Sequence, residues 1–116
     1  MFRFESLDIW NLAIEYADLI YALTAKFPRD ELFGLSSQLR RAAVSISCNI
    51  AEGSLSDSNK EFRAFLNYGI RSAGETVSEG VIARRRKYIT NEDAHTIYQK
   101  AEVLVKKMTV FKKGLH

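Results

Sequence analysis

Between Leu7 and Lys26 the polar residues fall at Asp8, Asn11, Glu15 and Asp18, stepping by three and four as on one face of an α-helix. Nearly everything else there is apolar, including Ile9, Trp10, Leu12, Ile14, Tyr16, Leu19, Ile20, Tyr21 and Leu23. So narrow a polar stripe predicts a helix covered on more than one side, which implies a contact surface beyond one bundle core. Phe27-Pro28 ends the segment, because the residue before proline is pushed out of the α region. A second stripe follows at Leu32, Leu35, Leu39, Ala42/Ala43, Ile46 and Ile50. Asp30 and Glu31 suit its first turn, where acids complement the helix dipole. Gly34 leaves an alternative open: the start is a separate turn, and Ser36 or Ser37 caps the main helix. Gly53 is the expected stop, in the left-handed conformation that glycine tolerates.

Ser58 and Glu61 have capping-box spacing at the head of a third helix carrying Phe62, Phe65, Leu66, Gly69, Ala73, Val77 and Val81. Gly69, Gly74 and Gly80 inside it mark a bend or a close helix approach. Thr90 and Asp93 form a second, weaker box before Ala94, Ile97, Tyr98, Ala101, Leu104, Val105, Met108 and Phe111. Helices near 7–26, 30–53, 58–88 and 90–113, joined by short connections, predict an all-α fold. The expected architecture is an antiparallel up-and-down four-helix bundle, with residues 1–116 as one domain. The single proline argues against a turn-rich β fold, and 47% hydrophobic residues argue against disorder.

Catalytic chemistry is not evident. There is no phosphate loop, nucleophile elbow or HExxH. Glu92 and His95 make one Glu-x-x-His pair at a helix start, whereas a di-iron bundle needs two. Glu52, Glu75 and Glu79 have no evident acid–base partner; Glu52 reads best as a structural acceptor, for example to Arg40 or Arg41 of a neighbouring chain. No metal, cofactor or enzyme activity is therefore expected. The only cysteine, Cys48, permits no intrachain disulfide and reads as a buried or half-buried helix residue. The apolar runs are too short to span a bilayer, and the N-terminus lacks a signal-peptide pattern, so the expected setting is cytoplasmic.

Charge is unevenly placed. Of the formal +3, residues 1–58 carry −3 (five Lys/Arg, eight Asp/Glu) and residues 59–116 carry +6 (twelve and six). The sharpest feature is Arg84, Arg85, Arg86 and Lys87. These cations can simply complement a helix C-terminus. They can also form a phosphate-binding patch, with Lys106 and Lys107 as secondary contacts. Antiparallel packing would put Lys112 and Lys113 at the opposite end. Tyr88 either stacks on a base or packs against the helix end. The small residues Ala42, Ala43, Ser45 and Ser47 are candidates for an oligomer interface, where they would let helix backbones approach.

Finally, the stretch Phe27–Gly53, with Gln38-Leu-Arg-Arg41 and Asn49-Ile-Ala-Glu-Gly53 at its centre, resembles the four-helix bundle proteins encoded in intervening sequences of bacterial 23S rRNA genes. Accessory variability determinants of diversity-generating retroelements are related bundles. The likeness begins at Leu7 and Trp10 and continues through Phe62, Phe65, Leu66, Ser72 and Glu75 to Tyr88-Ile89. It implies a homopentamer without established enzyme activity. In the retroelement branch it implies binding of nucleic acid and of a reverse transcriptase. Thr76 and Gly80 depart from the larger apolar residues usual in that family, and Arg86 and Lys87 replace an apolar-glycine pair. The resulting expectation is a non-enzymatic oligomer binding RNA or DNA non-specifically; the alternative is a ring-shaped scaffold for protein partners.

Overall fold

The computed structural model describes all 116 residues. Four helices account for most of them: α1 (Asp8–Thr24), α2 (Leu35–Ser54), α3 (Asn59–Arg85) and α4 (Asn91–Lys113), with short 3-10 turns at Arg3–Ser6 and Arg29–Glu31. They form an antiparallel bundle 44 Å long and about half as wide. Helices α2 and α4 each touch both α1 and α3, so α1 and α3 face each other across the diagonal. The core is the three-four stripe of each helix brought to one axis: Tyr16 and Ile20, Leu39, Ile46 and Ile50, Phe62 and Leu66, Ile97, Leu104 and Met108. Truncating Leu39 or Leu104, each almost wholly enclosed, to alanine should cost about 2–5 kcal/mol in chemical denaturation.

The start of α2 takes the open alternative: a separate turn, then the main helix. Its cap is neither Ser36 nor Ser37, which lie inside the helix, but Glu31 from the preceding turn, whose Oε1 accepts the Leu35 N–H at 3.1 Å. A Cβ at Gly34 would stand 2.7 Å from that oxygen, so the glycine makes room for the cap.

Gly53 is not a stop. It is buried inside α2, no glycine in the chain has positive φ, and the helix continues to Ser54. A Cβ there would lie 2.7 Å from Phe62 Cδ1 and 2.9 Å from Phe65 Cβ, so the glycine serves the close crossing of α2 and α3. Gly69 and Gly80 likewise sit against neighbouring helices, near Ile46 and Met108 and near Ile97 respectively, whereas Gly74 faces open space. The two capping boxes reverse rank. Ser58 Oγ accepts from Glu61 N at 3.1 Å without the return bond, while Thr90 and Asp93 satisfy each other's backbone at 3.0 and 3.3 Å.

Cys48 is exposed on the outer side of α2, not buried. Helix α1 keeps apolar surface after folding: Ile14 and Tyr21 remain 36% and 44% exposed, the excess its narrow polar stripe foretold.

Candidate nucleic-acid interface

The basic cluster sits on a rigid turn. At the end of α3 the Tyr88 N–H donates to Ala83 O and the Lys87 N–H to Arg84 O, both at 2.9 Å. This paired closure is a Schellman motif, whose left-handed position usually holds glycine. Here it holds Lys87 at φ 65°, the one non-glycine residue with positive φ. A side chain in that conformation costs on the order of 1 kcal/mol against glycine.

The next residue anchors the turn. The Tyr88 hydroxyl donates to Glu31 Oε2 at 2.9 Å, and its ring packs 5.3 Å from Phe27. Of the two roles open to Tyr88, the structure gives it packing at the helix end. The Leu35 N–H, then the Tyr88 hydroxyl and the Arg86 charge, hold the Glu31 carboxyl below its ordinary value. The same bond to Glu31 pushes the Tyr88 hydroxyl up.

Arg84, Arg85, Arg86 and Lys87 are all exposed. None joins an ion pair; the chain has two, Lys107 with Asp8 at 3.0 Å and Lys106 with Glu102 at 3.9 Å. Lys106 and Lys107, adjacent in sequence, both border a hollow beside Asp8 and Ile9, but their ammonium groups take different partners. Lys106 lines the seam of α3 and α4, at the far end of which lies Arg84. Lys107 turns to α1 and is held by Asp8. Lys112 donates to Asn67 Oδ1 at 2.8 Å, in the opposite half of the bundle from the basic turn.

The small residues of α2 are used within the chain. Ala42, Ala43 and Ser47 are buried, and the Ser45 hydroxyl lies 3.0 Å from that of Ser72 on α3. The close backbone approach they permit is the crossing of α2 with its own neighbours, and only Ser45 keeps partial access. Arg40 is also engaged internally: its Nε donates to Thr24 Oγ1 at 2.8 Å and its guanidinium lies 4.8 Å from the centre of the Tyr21 ring. Glu52 is exposed.

Two features escape a reading of the sequence. Tyr98 belongs to the apolar stripe of α4, but Ile97 beside it takes the core position and leaves Tyr98 52% exposed. Neighbours on a helix point about 100° apart, so a narrow apolar face centres on only one of two large adjacent side chains, which is the one signal available beforehand. Glu79 is the other: it is 6% exposed with Oε1 unpartnered, and burial followed by the nearby Glu75 charge pushes its carboxyl up to about 7. No three His, Cys, Asp or Glu side chains gather as a metal site, and no helix is long and apolar enough to cross a membrane.

Fold and surface together define a small all-α bundle protein with a cationic helix end. A family model described as 23S rRNA-intervening sequence protein matches residues 5–110, and the chain belongs to that family. Among solved structures it is similar to a protein of unknown function from the S23 ribosomal protein family of Bacteroides thetaiotaomicron VPI-5482, determined at 1.70 Å. The two are 26% identical with a TM-score of 0.80, over 90% of this chain and 98% of the other. No curated protein matches the chain.

Proposed function

We propose that this protein is a non-enzymatic accessory factor of the bacterial cytoplasm that binds RNA or DNA with little sequence preference, chiefly through Arg84, Arg85, Arg86 and Lys87. The observation that carries the reading is the turn itself: four consecutive exposed cations, none paired, on a backbone closed by three hydrogen bonds. Lysine at a position that favours glycine supports it further, because strain kept at a surface turn points to a use for the side chain. Assembly into a homopentamer belongs to the same reading. Five copies at +3 each would carry about +15 and repeat the turn around a ring, so weak contacts would add. In a retroelement setting a reverse transcriptase would be the protein partner.

A scaffold for protein partners is the second reading. It is favoured by apolar side chains left at the surface, Phe33 at 94% and Val110 at 69% exposure, with Ile14 and Tyr21 on α1. Titration of labelled RNA and duplex DNA with the oligomer separates the two. The first reading gives binding at low salt that falls steeply as salt rises; no binding at low salt leaves the scaffold.

A further inference from the structure

Helices α3 and α4 leave a trough along their outer seam. It consists of two hollows of about 390 and 430 Å³ that share Val77 and Tyr98 as walls. Gly74 lies along it, where an added Cβ would meet nothing within 4 Å. Arg84 and His95 line one end, and Lys106 with Glu102 the other. From Gly74 to Arg84 the helix rises roughly 15 Å, the scale of a short oligonucleotide segment rather than of one small molecule.

Tyr98 stands where the two hollows meet. It is 52% exposed, and its ring pairs with no other aromatic side chain. An open aromatic ring on an apolar floor, with a cation at each end, matches the two surfaces of an unpaired nucleic-acid strand. Bases offer a π-face that stacks on such a ring whatever their identity, and the flanking phosphates seek cations. A duplex keeps its base faces inside its own stack and can use only the cations. Glu102 is the one acid lining the trough; it lies 3.9 Å from Lys106, and a phosphate would replace it as the partner of that lysine.

We infer that this trough holds a single-stranded segment of RNA or DNA, with a base stacked on Tyr98 and the neighbouring phosphates at Arg84 and Lys106. The inference rests on the proposed nucleic-acid reading and narrows it, at this trough, from RNA or DNA in any form to unpaired strands.

The test compares a labelled oligouridylate with an RNA duplex of equal length, titrated at low salt with the wild-type protein and with Tyr98→Leu, Tyr98→Phe and Arg84→Gln. Tyr98→Leu is expected to weaken single-strand binding about tenfold or more, the scale of losing one base–aromatic stack, and to leave duplex binding unchanged. Tyr98→Phe keeps the ring and should retain wild-type affinity, while Arg84→Gln should weaken both ligands. Because Tyr98 is half exposed, the leucine variant should keep the wild-type melting curve, which excludes a folding defect. If both ligands bind and Tyr98→Leu changes neither, the stacking site is refuted while the basic-surface reading stands. If the wild-type protein binds neither ligand at low salt, both fall together.

Discussion

The hydroxyl of Tyr16 on α1 lies 2.7 Å from the hydroxyl of Thr76 on α3, across the diagonal of the bundle and wholly out of water. Helices α1 and α3 make no close backbone approach, so this side-chain pair is a polar strut between elements that α2 and α4 hold apart. Thr76 also donates to Ala73 O at 2.6 Å, which leaves it an acceptor for the Tyr16 proton. Burial pushes the Tyr16 hydroxyl up to about 12, partly offset by Thr76, so it stays a donor at any ordinary pH. Tyr16→Phe leaves Thr76 with its backbone partner and should cost about 1 kcal/mol. Thr76→Val strands the tyrosine hydroxyl and should cost about 1–3 kcal/mol. Urea denaturation of the two variants and of the double variant should give a coupling energy of about 0.5 kcal/mol or more, with the double variant more stable than additivity predicts.

Glu79 makes stability depend on pH. Its carboxyl titrates near 7 in the folded chain and near its ordinary value of 4.5 when unfolded. A folded-state value raised in this way means that the native protein binds the proton more tightly. The favourable contribution is therefore complete below about pH 4.5 and is lost as pH rises through about 7. Melting of the wild-type protein should show this loss, on the order of 2 kcal/mol, between pH 5 and pH 8. Glu79→Gln should abolish that fall and be the more stable chain at pH 8.

Two glycines should respond in opposite directions. Gly53→Ala drives a methyl group into Phe62 and the Phe65 Cβ, and should destabilise by about 1–3 kcal/mol. Gly74→Ala meets open space and should stabilise by up to about 1 kcal/mol through helix propensity. Equal effects in chemical denaturation would contradict the assigned helix crossing.

These glycines also mark how far the sequence could be read. Periodicity located all four helices, because Leu39, Ile46, Ile97 and Leu104 had to share an axis to leave water. It could not tell a glycine that ends a helix from one that admits a neighbouring ring, since that depends on a crossing made across the chain. The same limit applies to Ala42, Ala43 and Ser47: their smallness announces a close approach but not whose backbone approaches. Of the candidate contacts, Arg84–Lys87 are contiguous and their exposure was legible from the charge run. The different ion-pair partners of Lys106 and Lys107 follow from the helical turn of about 100° per residue together with where Asp8 lies, and only the first was visible beforehand.

Lys87 is expected to trade stability for binding. Lys87→Gly relieves the left-handed strain and should raise the stability by about 1 kcal/mol in denaturation. The same change should weaken nucleic-acid affinity through the loss of one cation. A variant that is stabilised but binds as tightly as the wild type would remove Lys87 from the interface.

The central claim is that the basic turn at the end of α3 holds phosphates. Its most direct measurement is the affinity for labelled single-stranded RNA across a salt series, for the wild-type protein and for the variant in which Arg84, Arg85 and Arg86 are all glutamine. Each phosphate contact on a single strand adds about 0.7 to the slope of log affinity against log salt. The account predicts weaker binding of every sequence tested, a slope flatter by about 2, and an unchanged melting curve. An unchanged slope and affinity in the triple variant would contradict it.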